Sequence, residues 1–288
     1  MMDNLTDIGA VKTLLGRHGF TFSKALGQNF LINPSVCPRM AAACREGLPA
    51  EFAALEIGPG IGVLTRELAG VAEKVVSVEL DRRLLPVLAE TVGDCGNVEV
   101  VQADAMRLDL AALMREKAPG LPLVVCANLP YYLTSPLLMR LLESRLPAKS
   151  ITVLVQKEAA ERLCARPGTR ACGAVTLAVD YYARAERLFP VSRGSFLPAP
   201  KVDSTVMRLQ IREEPPCRTG DEAAMFRLIR TAFAQRRKTI ANALAGGGYP
   251  KQTVCAALAA AGISPSARAE EIPLQAFAAL SDAVGERL

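Results

Sequence analysis

Five short apolar runs, at residues 53–57, 75–79, 98–102, 123–127 and 151–155, alternate with stretches of helical period such as 62–70 and 82–92. No other feature of the chain limits its fold as much. A run that is apolar at nearly every position suits a strand covered on both faces, which is the condition of a parallel sheet. Parallel neighbours need a crossover of a dozen or more residues, and a helix provides it. The alternation therefore predicts a doubly wound α/β sheet. Two longer strand-like runs follow, Ala174 to Tyr182 and Ser204 to Ile211, and are expected to form an antiparallel pair that finishes the sheet. Ahead of the sheet, residues 5–17 read as a helix, and a basic, Gly/Ser-containing loop runs from Arg17 to Gln28.

Glu213-Glu214-Pro215-Pro216 interrupts this pattern and reads as a linker. Beyond it, residues 221–288 are Ala-rich and helical in period, with breaks at Gly246-Gly247-Gly248 and Ser264-Pro265. The expected division is a sheet domain over 1–212, with an N-terminal helix and loop in 1–35, and a small all-helical domain over 213–288. Half of the 288 residues are hydrophobic, enough for a sizeable core.

Several function classes are disfavoured. No apolar stretch reaches the ~18 residues of a membrane helix. Met1 to Lys12 carries Asp3 and Asp7 and lacks the basic-then-apolar order of a signal peptide, so a cytoplasmic protein is expected. The eight cysteines are scattered with no C-x-x-C pair, which indicates neither a zinc site nor a disulfide frame. The only histidine, His18, lies in a basic, Gly-containing stretch and reads as a surface residue. The chemistry is expected to need neither a strong general base nor a metal.

The first strand ends in Glu56-Ile57-Gly58-Pro59-Gly60-Ile61-Gly62. Glycines there let backbone approach a ligand closely. A dinucleotide fingerprint would place its third glycine where Val63 stands. The G-x-G-x-G turn, with an acid ending the next strand, is instead the nucleoside-binding arrangement of S-adenosylmethionine (SAM) enzymes. Glu79 follows Gly58 by 21 residues, where a carboxylate can accept both ribose hydroxyls. Asp104 ends the third strand and can accept from an adenine amine, with Leu80 and Met106 available to sandwich the ring. Alone, the glycines fit a tight strand-to-helix turn, and Asp104 or Glu79 fits a helix N-cap.

The fourth strand ends in Asn128-Leu129-Pro130-Tyr131. The Asn128 side-chain oxygen and the Leu129 carbonyl can each accept from an exocyclic NH2 group. Tyr131 can stack on a flat ring, and Pro130 stiffens the turn. The plainer alternative is a strand end and proline turn, with the tyrosines as core.

Charge is uneven. Residues 216–251 hold seven Lys/Arg against Asp221 and Glu222, a sum of +5 that equals the net charge of the whole chain. In Phe226 to Leu244, positions 226, 229, 233, 240 and 244 form one apolar stripe at helical spacing, which reads as one helix packed on one side. Arg227, Arg230, Arg236, Arg237 and Lys238 flank it and suit an RNA backbone, the alternative for Arg236 or Arg237 being an ion pair with carboxylates of the sheet domain.

With these stretches in view, the sequence resembles the small-subunit ribosomal RNA adenine dimethyltransferases of the KsgA family almost end to end. The resemblance rests on Leu26-Gly27-Gln28-Asn29-Phe30-Leu31, Glu56 to Thr65, Gln102 to Met106 and Asn128 to Tyr132, then on Phe196 to Ser204 and Phe233 to Thr239. It implies a Rossmann-like SAM-methyltransferase sheet with a helical RNA-binding domain. It also implies dimethylation of N6 on two adjacent adenosines in the 3′-terminal hairpin of 16S rRNA, within the small ribosomal subunit or its precursor, and a role in ribosome biogenesis. Carried over residue by residue, Asn29 and Leu31 hold the methionine end of SAM, Gly58 lies beneath it, Glu79 takes the ribose and Asp104 the adenine. Gln28, Gly60, Leu80, Ala105, Met106 and Asn128 complete the expected cofactor set. Asn128 with the Leu129 carbonyl receives the target amine, next to Pro130. Tyr131 stacks on the base and Phe196 supports its other side. Alternatives are a 23S rRNA or DNA adenine methylase, or an assembly factor in which methylation is secondary. A monomer is expected.

Overall fold

A computed structural model describes residues 4–23 and 26–285; Lys24 and Ala25 of the basic loop lie outside it. Helix α1 (Ile8–Arg17) and a short strand β1 (Phe30–Leu31) precede the main sheet. There follow α2 (Val36–Arg45), β2 (Ala53–Ile57), α3 (Val63–Ala69), β3 (Lys74–Glu79), α4 (Leu85–Val92), β4 (Val98–Gln102), α5 (Leu110–Lys117), β5 (Leu123–Asn128), α6 (Thr134–Glu143) and β6 (Ala148–Gln156). The chain continues through α7 (Lys157–Leu163), α8 (Ala174–Tyr182), β7 (Ala183–Val191), β8 (Phe196–Leu197) and β9 (Ser204–Ile211). The last helices are α9 (Glu222–Ala234), α10 (Ile240–Gly246), α11 (Lys251–Ala260) and α12 (Leu274–Gly285).

The main sheet has seven strands in the order β4-β3-β2-β5-β6-β9-β7. β2 to β6 are mutually parallel, and β9 runs antiparallel to β6, from Ser150 opposite Gln210 to Gln156 opposite Ser204. The five apolar runs are these parallel strands, as their composition predicts. From β2 the chain winds outward through β3 and β4, then returns to β5 on the other side of β2. The order therefore reverses between β2 and β5, and ligands collect at the carboxyl ends of strands at such a reversal. The Gly58 turn leaves β2 there, and Asn128 ends β5.

Two apolar clusters hold this part together. One joins Met40, Phe52, Ala54, Leu68, Val75, Val124 and Val206, and the other joins Val11, Leu14, Phe20, Phe30, Ile61, Leu84 and Leu88. Each such side chain contributes roughly 1.5–3 kcal/mol on burial. β1 and β8 form a separate antiparallel pair, Phe30 opposite Leu197 and Leu31 opposite Phe196. This pairing fixes the segment that leads to β1.

Three sequence expectations change. Ala174–Tyr182 is helix α8, not a strand. Its β-branched and aromatic content suits either state when both faces are buried. Helix wins because the Gly173 N–H donates to Thr176 Oγ1 (2.9 Å), while the Tyr182 hydroxyl donates to Glu222. The strand that finishes the sheet beside β9 is β7. Second, Phe226 to Leu244 is two helices, α9 and α10, broken over Gln235–Thr239. All five stripe positions are buried, but Thr239 starts a new helix by accepting from the Asn242 N–H. Third, the chain separates into two compact units that differ from the expected domains. The first runs to Ala160 and includes Glu186–Ile211; the second takes Glu161–Ala185 and everything from Arg212 onward. The segment that contains α8 thus clusters with the C-terminal helices.

Candidate active site

In the first unit, the carboxyl ends of β2, β3, β4 and β5 and the segment Leu26–Leu31 line one cleft of about 1090 Å³, including the part open to solvent. The turn after β2 makes it accessible. Gly58, Gly60 and Gly62 all have positive φ, at 72°, 60° and 88°. A Cβ on Gly62 would lie 2.7 Å from Val92 Cγ1, so α3 can start there only from glycine. A Cβ on Gly58 would enter open space, and the backbone there forms part of the cleft wall.

Glu79, at the end of β3, is 6 % exposed, and its Oε1 accepts the Asp81 N–H at 2.7 Å. Burial raises its pKa, against the backbone N–H groups of Asp81, Gly60 and Leu80, which favour the ionised form. Asp104 Oδ1 accepts the Met106 N–H at 2.8 Å and caps the turn after β4. Each acid thus holds a local turn with one oxygen while lining the cleft, so capping a turn and facing the cleft coexist in one side chain.

Asn128 Nδ2 donates to the Asn29 carbonyl at 3.2 Å. That orients the amide and leaves Oδ1 as the acceptor. The Leu129 N–H donates to the Leu154 carbonyl at 3.2 Å, which fixes the peptide beyond the strand end. Pro130 sits at φ −57°. The Tyr131 hydroxyl lies 2.7 Å from Ser204 Oγ, at the start of β9. Burial raises the Tyr131 pKa, so the phenol is held neutral.

Of the expected residues, Gln28, Asn29, Leu31, Gly58, Gly60, Glu79, Leu80, Asp104, Ala105, Asn128, Leu129, Pro130 and Tyr131 all line this cleft. Two do not. Met106 contributes only the N–H bound by Asp104. Phe196 is 2 % exposed and belongs to the core cluster with Leu31, because β8 pairs with β1 and turns the ring inward. Gln28 lines the cleft, yet both polar atoms of its amide are engaged: Oε1 accepts the Ser23 N–H and Nε2 donates to Asp81, each at 2.8 Å.

One residue that sequence reading passed over stands out. Glu56, on β2, is buried and lines the cleft. Its Oε2 accepts from Thr65 and Ser77, both at 2.7 Å, while its Oε1 has no hydrogen-bond partner among the described residues. Desolvation pushes its pKa up to about 7, against those two hydroxyls and with the nearby Glu79 charge. A buried acceptor without a donor fits a ligand that carries N–H groups or positive charge. The signal was present in the sequence: an acid inside an otherwise apolar strand, two residues before the glycine turn.

In the second unit, Arg227, Arg230, Arg237 and Lys238 are exposed. Arg227 approaches Asp221 at 3.8 Å, and Arg230, with Thr231, Gly247, Gly248, Tyr249 and Pro250, lines a shallow surface groove. Arg236 differs: its Nη2 donates to the carbonyls of Arg170 (2.7 Å) and Cys172 (3.1 Å). Its partners are backbone oxygens of its own unit, not carboxylates. His18 in the first unit lies 2.7 Å from Glu90.

The model of the ribosomal RNA adenine dimethylase family matches residues 19–284. Among curated relatives, the ribosomal RNA small subunit methyltransferase A of Geobacillus thermodenitrificans (strain NG80-2) is 44% identical, over 99% of this chain and 98% of that protein. The one of Shouchella clausii (strain KSM-K16) is 45% identical, over 94% of this chain and 92% of its own length. Among solved structures, a dimethyladenosine transferase from Plasmodium falciparum superposes with a TM-score of 0.71 at 26% identity, covering 87% of this chain and 95% of that one. The 23S rRNA methyltransferase ErmE gives a TM-score of 0.65 at 29% identity, over 89% and 100%.

Proposed function

This chain belongs to the ribosomal RNA adenine dimethylases, and from that premise we propose that it uses SAM to dimethylate N6 of two adjacent adenosines in the 3′-terminal hairpin of 16S rRNA. The substrate would be the small ribosomal subunit or its precursor, met in the cytoplasm by a monomeric enzyme that also serves ribosome biogenesis. The observation that carries this reading is the cleft itself, where the acids of β3 and β4 and the Asn128-Leu129-Pro130-Tyr131 end of β5 face one space at the sheet's reversal point.

Glu79 would receive the ribose and Asp104 the adenine of the cofactor, with Asn29, Leu31, the Gly58–Gly60 backbone and Leu80 around it. The unpartnered Glu56 oxygen fits the positively charged end of SAM. When bound, SAM supplies a methyl group activated by its sulfonium charge. The chain has to make a poor nucleophile attack it. The lone pair of adenine N6 is delocalised into the ring. Asn128 Oδ1 and the Leu129 carbonyl, accepting from the two N6–H bonds before the first transfer and from the one that remains before the second, favour a pyramidal nitrogen. After each transfer the nitrogen loses a proton to water, and S-adenosylhomocysteine is the leaving product. Holding nitrogen and methyl in line can supply ~7–11 kcal/mol of the barrier. Tyr131, fixed by Ser204, would stack on a base that has left its helix. Phe196 would act from beneath, by shaping the β1–β8 floor. Arg227, Arg230, Arg237 and Lys238 would meet RNA phosphates.

The likeness to a 23S rRNA methyltransferase favours a second substrate, but relatives named for the small subunit match at 41–45% identity over nearly the whole chain. Incubation with labelled SAM and under-methylated small subunits, followed by mapping of the label, tests the reading. Label on N6 of two neighbouring adenosines near the 3′ end of 16S rRNA is expected. Label confined to 23S rRNA or DNA, or no transfer, refutes it.

A further inference from the structure

The segment Leu26–Leu31 touches both halves of the cleft, and two adjacent residues at its centre are tied to different halves. Gln28 Nε2 donates to Asp81 Oδ2 at 2.8 Å. Asp81 is 8 % exposed and rigidly held. Arg83 grips both of its oxygens, Nε on Oδ1 at 2.9 Å and Nη2 on Oδ2 at 2.6 Å, and the Arg83 guanidinium lies 5.1 Å over the Phe20 ring. The Asp81 N–H in turn donates to Glu79 Oε1. On the next residue, the Asn29 carbonyl receives Asn128 Nδ2. A continuous line of contacts thus runs from Glu79 through Asp81, Gln28 and Asn29 to Asn128. Gln28 is its middle link, with each polar atom of its amide already holding one protein partner.

We infer that Gln28 and Asp81 form a clasp that positions the Leu26–Leu31 segment, so that the acid facing the methyl donor and the amide facing the target amine are set by one piece of backbone. They are positioning residues: neither touches the reacting atoms. The clasp makes cofactor affinity and turnover depend on the same hydrogen bond, although Gln28 and Asn128 are 100 residues apart in sequence. It rests on the assignment of Glu79 to SAM and of Asn128 to the target base.

Gln28→Met keeps the side-chain length and removes the donor. Titration with SAM and turnover on under-methylated small subunits at saturating SAM should both fall ~10-fold or more, the scale of one hydrogen bond to a carboxylate. Gln28→Glu should be worse, because two carboxylates then face each other. Adding Asp81→Asn to Gln28→Glu exchanges donor and acceptor and should recover both readouts towards wild type. A lowered melting temperature with SAM affinity and saturated turnover intact overturns the proposal. So does loss of only one of them, or an exchanged pair no better than Gln28→Glu alone. If the wild-type protein transfers no methyl group to the particle, the functional reading itself fails and the clasp falls with it.

Discussion

Asn128 and Glu79 share a cleft but carry different demands. Asn128→Ala is expected to lower turnover about a hundredfold, the scale of losing one transition-state hydrogen bond. SAM binding should stay within a few-fold, because Leu26–Leu31 keeps its anchors at Asp81 and at the β1–β8 pair. Glu79→Ala should instead weaken SAM binding by ~1.5–3 kcal/mol. Calorimetric titration and a turnover assay on each variant separate the two. Near-wild-type turnover in the first, or unchanged affinity in a folded second, removes that residue from the site. Both residues stood out in the sequence because each ends an apolar run. Met106 and Phe196 were placed in the site by motif, yet Asp104 uses the Met106 backbone and β8 turns Phe196 into the core. The Tyr131–Ser204 contact links two stretches 73 residues apart, and no local pattern announces it.

Elements show a different kind of ambiguity. α8 could not be told from a strand by composition, since a segment buried all round has no exposed face to reveal its period. In α9 and α10 the apolar stripe was right and the continuous helix wrong, because a Thr239 cap can restart a helix without disturbing the stripe. The break changes the fate of the basic residues. Arg236, Arg237 and Lys238 all lie in it and are exposed, but Arg236 is tied to two carbonyls. Arg236→Ala should therefore lower the melting temperature modestly, at a cost of ~0.5–1.5 kcal/mol, the net worth of an ordinary hydrogen bond whose freed carbonyl can turn to water, and keep the salt dependence of RNA binding. Replacing Arg227, Arg230, Arg237 and Lys238 by Ala should do the reverse. The slope of log K against log salt should flatten by up to ~1 unit per contact, with little change in melting. Binding to small subunits across a salt series, alongside thermal melts, decides; an unaltered slope in the fourfold variant would refute RNA contact.

For the molecule as a whole, the buried Glu56 predicts how stability follows pH. Its folded pKa of about 7 lies above the usual 4.5. Between these values the folded state holds a proton that the unfolded state has released, so stability is fully present below pH 4.5 and is lost as pH rises through 7. The loss is on the order of 3 kcal/mol. Glu56→Gln should flatten this fall between pH 5 and 7 in denaturant titrations; an equally steep fall would trace the effect to another group.

By itself the sequence determined the alternation of strands and helices, the parallel sheet, the glycine turn and the acids and amide at the strand ends. These follow from local pattern, in which burial on both faces makes strands apolar and close approach demands glycine. Only the tertiary structure decided which oxygen of each acid is already taken, that Gln28 holds Asp81, that Glu56 keeps an unpartnered oxygen, and that the Glu161–Ala185 segment belongs with the C-terminal helices. Those outcomes depend on distances between residues far apart in the chain, and hydrogen-bond partners are chosen only when the whole fold has brought the candidates together.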